Sequence, residues 1–407
     1  MSNRRIQNRD IVIVGLQPWD GDLGSNCKNL AIEFSQSNRV LYVNSPLDRK
    51  TYLTNYSDPK VQKRINVIKG KKNGLTEVAD NIWELNPERM IESINWIRFS
   101  WLFDMLNWRN NRIFSGTIKR AIESLQFRNI ILFNDNDIFR SFYLKEYLNP
   151  ALSVYYSRDF LVGVDYWERH GKRLEPQLIA KSDLCVANSS FLANYCKQYN
   201  ERSFYVGQGC DLAIFKPQSS NTMPADLLHL KGPVIGYVGA LQSIRIDIEV
   251  IEYLALNKPD WSIVLVGPED DIFKNSPLHT LKNVLFTGAK EMEQLPQYIN
   301  TFSVCLNPQL INPITVGNYP RKIDEYLALG KPVVATKTEA MQIFQNYTYL
   351  ASNKEEYVEL IEQALREDSE ELSTSRRQFA STHTWENSAE EIYKAMLKTD
   401  KNDDANF

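Results

Sequence analysis

Cysteine and histidine are scarce in this chain, five and four in 407 residues. Cys27, Cys185, Cys196, Cys210 and Cys305 are scattered and odd in number, form no C-x-x-C pair, and have no histidine clustered with them. That excludes a disulfide framework and the usual structural zinc sites. Unpaired thiols point to a reducing compartment, so a cytoplasmic location is expected. Charge of one sign is also lacking: 47 Lys and Arg stand against 50 Asp and Glu, a net −3. No global basic field marks the chain for nucleic acid. Long hydrophobic runs are absent. None approaches the roughly 20 apolar residues of a membrane span, and MSNRRIQNRD lacks the apolar core of a signal peptide. The G-x-G-x-x-G of a dinucleotide site is missing as well.

What is present is alternation. DIVIVG at 10–15 reads as a strand, LQPWDGDLGS at 16–25 as a loop, 26–36 as a helix, and VLYVN at 40–44 as the next strand. This strand, loop, helix, strand order predicts a Rossmann-like sheet. Gly21 and Gly24 in the first loop allow a ligand close to the backbone; a plain connection is the competing reading. Further strands are expected at 129–133, 153–156, 183–188 and 203–206. The pattern restarts with VIGYVG at 234–239 and continues at 261–266, 284–287 and 304–306. The length suits two domains. We assign 1–212 to the first, 213–231 to a linker rich in Pro and Ser, 232–384 to the second, and 385–407 to a final amphipathic helix with a polar tail.

The segment GNYPRKIDEYLALGKPVVAT at 317–336 holds most of the information. Pro320 suits a helix start, Ile323, Tyr326 and Leu327 repeat at helical spacing, Gly330 ends the helix, and VVA follows as a buried strand. Arg321 and Lys322 fall in the first turn, where the helix dipole is already positive; each costs about 0.3–1 kcal/mol there. Cations in that place suggest a bound anion, most simply a phosphate. Glu325, one turn on, could accept hydrogen bonds from ribose hydroxyls. A solvated helix start with incidental charges explains the same residues without a ligand.

Glu325-Tyr-Leu-Ala-Leu-Gly-Lys-Pro-Val333 resembles the nucleotide-sugar motif E-A-M-A-x-G-x-P-V of the retaining glycosyltransferases of family four, which have the GT-B fold. The resemblance implies an α/β chain of two Rossmann-like domains facing a central cleft. It implies that Glu325 binds the donor ribose. The first Glu of the family's motif falls at Gly317, so that carboxylate is missing. Asn318, Pro320 and Lys322 match a variant N-x-P-x-K seen in bacterial polysaccharide clusters, in which Asn318 stands in for the lost Glu. The family's G-R-L-x-x-x-K falls on 239–245. Gly239 is kept, Ala240 occupies the Arg position, and Arg245 stands at the Lys position, facing the donor diphosphate with Arg321 or Lys322 as the second cation. Gly209, Asp211 and Phe215 match the element that ends the first domain, and the resemblance implies that the final helix crosses back to that domain. Glu269 and Gly288 are expected near the nucleoside, Gly288 reading the base through its backbone; a solvated turn at 269–271 is the alternative.

The family's metal-dependent counterparts carry a D-x-D pair, and none stands at a suitable strand end. The donor site is therefore expected to need neither metal nor cofactor. Asp159, after the strand at 153–156, is expected to orient the acceptor or the reacting sugar; a loop pair with Arg158 is the other reading. His170 reads as a surface residue; Glu175 resembles a helix-borne Glu of the family, with a structural ion pair as the other reading. Residues 89–128 interleave Trp96, Phe99, Trp101, Phe103, Trp108 and Phe114 with seven cations against three anions, a local +4. This reads either as a membrane-interface surface or as a helix pair packed on the sheet.

The resulting expectation is a cytoplasmic glycosyltransferase, peripheral on the inner face of the plasma membrane. It moves a sugar from a UDP- or GDP-linked donor to a glycan or lipid-linked acceptor in surface polysaccharide synthesis. Arg245, Lys322 and Asp159 are the catalytic candidates. A sugar-nucleotide epimerase of the same fold and a non-catalytic nucleotide-sugar-binding protein are the alternatives.

Overall fold

The computed structural model describes residues 6–21, 25–216 and 223–399. The chain divides into two compact units. One comprises 1–207 with 385–407, the other 208–384.

The first unit is built on an eight-stranded sheet: β1 (Asp10–Gly15), β2 (Arg39–Val43), β3 (Leu75–Ala79), β4 (Ile82–Leu85), β5 (Ile131–Asp135), β6 (Leu152–Ser157), β7 (Leu184–Ala187) and β8 (Ser203–Tyr205). Their spatial order is β3-β4-β2-β1-β5-β6-β7-β8. Every pairing is parallel except β3 with β4. β1 is buried along its whole length, as a central parallel strand covered on both faces must be. The β3–β4 hairpin was not foreseen: β3 is largely exposed and lacks the apolar run that marks the other strands. The aromatic segment also differs from a helix pair. Residues 89–99 form an irregular stretch before one long helix, Ser100–Ser124.

The second unit has β9 (Val234–Val238), β10 (Ser262–Val266), β11 (Val284–Gly288), β12 (Val304–Asn307), β13 (Val333–Thr336) and β14 (Tyr349–Ala351). They are all parallel, in the order β11-β10-β9-β12-β13-β14. This is the doubly wound arrangement, with its switch point between β9 and β12. Gly236 in β9 is required by packing, because a Cβ there would lie 2.2 Å from the ring of Phe302.

Gln208 to Phe215 and Met223 to Lys231 group with the second unit, and Phe215 and Leu227 are buried in its core. The final helix, Trp385–Thr399, belongs to the first unit. Its Ile392, Tyr393 and Met396 pack with Phe34, and Asn38 Nδ2 donates to Tyr393 Oη at 3.1 Å. The chain therefore passes between units twice, at 207/208 and at 384/385. Among the described residues no helix is long and apolar enough to cross a membrane.

Candidate functional site

At the switch point of the second sheet, β9 ends in Gly239 and β12 runs into a loop at 308–320. Ligands of open α/β sheets bind beyond such strand ends. Gly239 and Gly267 have φ of 140° and 149°, which favours glycine. A Cβ on Gly267 would lie 2.0 Å from the carbonyl oxygen of Gly239. The two turns after β9 and β10 thus pack backbone to backbone. The space left by the missing Gly239 side chain is taken by Lys322. Its amine is the nearest atom to a Cβ built there, at 3.0 Å.

The helix Arg321–Ala328 is held against β9. Ile323, Asp324, Tyr326 and Leu327 are buried, and Tyr326 Oη accepts from the Val238 amide at 2.9 Å. Pro320 precedes the first helical residue, and Gly330 follows with φ 75°. Lys322 donates to Tyr237 Oη and its amine lies 4.0 Å from the centre of that ring. The loop bearing Arg245 is tied to the loop before the helix: Asp247 N donates to Pro308 O, and Leu310 N to Arg245 O, both at 2.8 Å. Asn312 Nδ2 donates to Ile244 O at 2.8 Å.

Three cations, Arg245, Arg321 and Lys322, are carried by these elements. Among the described residues none has a carboxylate at salt-bridge distance, although 22 such bridges occur elsewhere. Arg321 Nε is buried without an acceptor, an arrangement that is costly unless an anion is bound. Burial raises the Glu325 carboxyl above its usual range, against the pull of Arg321 and Lys322. Among the described residues no group donates a hydrogen bond to it, so its oxygens remain available. Asn318 is half-buried in the loop that leads to the helix, its amide bonded to Thr315 O at 3.0 Å.

Around the neighbouring strand ends, Glu269 binds His279 Nε2 at 2.8 Å, and His279 stacks on Phe286 at 3.9 Å. Glu269 is thus already partnered, while Asp270 caps a short helix by accepting from Phe273 N. Gly288 has φ 71° and open space where a Cβ would stand; its carbonyl accepts from Gly267 N at 2.9 Å.

A buried node beside this site was not foreseen. Asp324 is fully buried and accepts from His383 Nδ1 at 2.5 Å, Tyr319 Oη at 2.8 Å and Cys210 Sγ at 3.2 Å. Cys210 N also donates to His383 O at 3.0 Å. The two segments that flank the chain crossings are joined to each other and to the helix of Glu325. The only trace in the sequence was an acid inside the apolar stripe of that helix.

The first-unit candidates fall as follows. Gly21 closes a turn, its amide bonded to Pro18 O at 3.1 Å; Gly24 lies outside the described residues. Arg158 bridges Asp159 at 2.6 Å and the buried Asp135 at 2.7 Å, the paired-loop alternative for Asp159. Burial raises the Asp135 carboxyl even against Arg158. His170 is not a surface residue: it is 1% exposed, stacks on Phe103 at 3.8 Å and meets Ile97 O at 2.7 Å. Among the described residues no cation pairs with Glu175. It is buried and accepts from Tyr155 Oη at 2.6 Å and Tyr195 Oη at 3.1 Å, and burial pushes its carboxyl up to about 7. Among the described residues no group of three or more His, Cys, Asp or Glu is arranged to hold a metal.

The family model described as glycosyl transferases group 1 matches residues 232–367, which include Gly239, Arg245, Arg321, Lys322 and Glu325. The second unit resembles the glycosyl transferases of group 1 over those residues. A relative from Bacillus subtilis, TuaH, named for teichuronic acid biosynthesis as a glycosyltransferase, is 27% identical over 227 residues. That match spans 53% of this chain and 56% of the relative, so the chain covers about half of the relative's length. Sucrose-phosphate synthase from Thermosynechococcus elongatus superposes with a TM-score of 0.68 at 16% identity, covering 96% of this chain and 99% of that one. Anabaena HepE, in complex with UDP and glucose, superposes at 0.63 and 15% identity, covering 96% and 100%. These likenesses establish the fold: two Rossmann-like units of the GT-B class.

Proposed function

We propose that this protein is a glycosyltransferase of surface polysaccharide synthesis. On this reading it transfers a sugar from a nucleoside diphosphate donor, UDP- or GDP-linked, to a glycan or lipid-linked acceptor. The observation that carries the reading is the trio Arg245, Arg321 and Lys322, which among the described residues have no carboxylate at salt-bridge distance, at the switch point of a domain that matches group 1. Sugar transfer needs the departing diphosphate stabilised, and fixed cations with a helix N-terminus supply that. Arg245 and Lys322 are assigned to the diphosphate, Arg321 to its charge balance, Glu325 to the ribose, and the Gly288 backbone to the base. Asn318 is assigned to the donor sugar in place of the missing Glu. Stereochemical retention and independence from metal are part of the proposal: a leaving phosphate held by cations can itself take the acceptor proton.

Calorimetric titration with UDP and GDP, with and without EDTA, tests this. One of them should bind regardless of EDTA. Arg245→Ala and Lys322→Ala should each weaken binding about tenfold, the equivalent of roughly 1.4 kcal/mol, and abolish transfer. Glu325→Ala should weaken it less. Unchanged affinity in all three variants would remove this site from donor binding.

The protein is proposed to work in the cytoplasm at the inner membrane face. Trp101, Met105 and Trp108 form one exposed stripe of the Ser100–Ser124 helix, 68%, 53% and 46% exposed, preceded by Trp96 and Phe99 at 74% and 67%. Aromatic rings at the headgroups with cations on anionic lipid fit such a surface. Arg109 and Arg120 are engaged by Glu92 and Glu88. The attraction falls mainly to the exposed Arg98, Arg112 and Lys119.

A further inference from the structure

Tyr237 stands one residue before the end of β9 and carries a phenol where a core strand needs only a ring. It is 1% exposed and belongs to an aliphatic core cluster with Leu241, Ile246 and Ile251. A phenylalanine would fill that space as well and leave no hydroxyl to satisfy. The hydroxyl emerges under the turn that follows β9. It donates to Ala240 O at 3.4 Å and accepts from the Lys322 amine. A Cβ placed on Gly239 would have the Lys322 amine at 3.0 Å and Tyr237 Oη at 3.1 Å. The turn, the phenol and the amine therefore converge where Gly239 has no side chain.

The Lys322 amine lies 4.0 Å from the centre of the Tyr237 ring, well within the range of a cation–π contact. Other lysines lie over rings in this chain with an acid beside them. Lys181 over Phe142 pairs with Glu146, Lys258 over Trp261 with Glu362, and Lys290 over Tyr298 with Asp226. At Lys322 the phenol takes the place of the acid: among the described residues no carboxylate lies within salt-bridge distance of that amine.

The difference has a chemical consequence. A carboxylate would fix the amine and cancel its charge, and an arriving anion would have to displace it. A neutral phenol fixes the amine and leaves the full positive charge. A lysine extended into solvent would keep its charge too, but its flexible stem would lose freedom on binding. Ring and hydroxyl together remove much of that freedom in advance. Packing alone explains the buried ring. It does not explain why the polar end is aimed at a cation in the first turn of a helix, next to Arg321, whose Nε is buried without an acceptor.

We propose that Tyr237 is a positioning residue for the diphosphate-binding cation: its ring and hydroxyl hold the Lys322 amine in place, with its charge uncancelled, before the donor arrives. The word diphosphate rests on the glycosyltransferase reading above; the hold on the amine rests on the geometry alone. Tyr237 acts only through Lys322, and that separates it from a residue that merely supports the strand.

Tyr237→Phe tests it, because the ring that fills the core is kept and only the hydroxyl goes. Calorimetric affinities for UDP and GDP are compared in the wild type, Tyr237→Phe, Lys322→Ala and the double variant. Tyr237→Phe should weaken binding of the accepted nucleotide about fivefold, and less than about twofold once Lys322 is already alanine. A tyrosine with a structural role alone would cost the same factor in both backgrounds. A second readout needs no nucleotide. With carbon-13 at the lysine ε-carbon, the Lys322 signal is assigned by its loss in Lys322→Arg. Its ε protons should be shifted upfield by the Tyr237 ring and should move back toward the solvent-exposed value in Tyr237→Phe. The proposal is overturned if Tyr237→Phe binds nucleotide as the wild type does, if it loses the same factor with and without Lys322, or if the Lys322 signal is that of a free lysine. If the wild type binds neither nucleotide, the donor reading fails, while the ε-proton shift still decides whether Tyr237 holds the amine.

Discussion

Replacing Asp324 tests whether the buried node fixes the helix that carries Glu325. In Asp324→Ala, Tyr319 Oη and His383 Nδ1–H lose their acceptor inside the core. Each unsatisfied buried donor costs about 1–3 kcal/mol; the Cys210 thiol, a weak donor, adds little. The expected loss is about 2–6 kcal/mol, a large part of the roughly 5–15 kcal/mol that holds a domain folded. Asp324→Asn keeps one carbonyl for His383 and should lose about 1–2 kcal/mol. Hydrogen exchange read by mass spectrometry on peptides covering 208–214, 319–328 and 376–384 measures this locally. A 2 kcal/mol loss speeds exchange by opening about 30-fold. All three segments should accelerate together, since Cys210, Tyr319 and His383 share one carboxylate. Pairing the change with His383→Ala in a double-mutant cycle should return a coupling of about 1 kcal/mol or more. Acceleration confined to 319–328, or a change below about 0.5 kcal/mol in Asp324→Ala, would refute the node.

Two further predictions concern the first unit. Glu175 has a folded pKa raised to about 7 from a reference of 4.5, so the folded state favours its neutral form. Its contribution is fully present below pH 4.5 and is lost as pH rises to 7, about 3 kcal/mol in all. Glu175→Gln should therefore raise the melting temperature at pH 8 and leave it unchanged at pH 4.5; an equal effect at both would remove the titration argument. In vesicle flotation, Trp101→Ser with Trp108→Ser should reduce binding to anionic liposomes at least fivefold, and salt should weaken the wild type. Retained binding in that double variant, or in one with Arg98, Arg112 and Lys119 neutralised, would remove the membrane surface.

The sequence determined by itself whatever is carried by local pattern. Runs such as DIVIVG and WSIVLV could only be central strands, because apolar stretches bounded by turn residues fit a sheet covered on both faces. Their alternation with helices implied two Rossmann-like sheets. Pro320, Gly330 and the stripe of Ile323, Tyr326 and Leu327 marked the helix Arg321–Ala328, and the cations in its first turn suggested a bound anion. Features resting on distant partners stayed hidden. The β3 strand is exposed and exists only because β4 offers it a hydrogen-bonding edge. His170 and Glu175 look like surface residues in a polar helix, and only packing against Phe103, Tyr155 and Tyr195 buries them. Asp324 was one acid among several until folding brought together Cys210, Tyr319 and His383, up to 114 residues away in sequence.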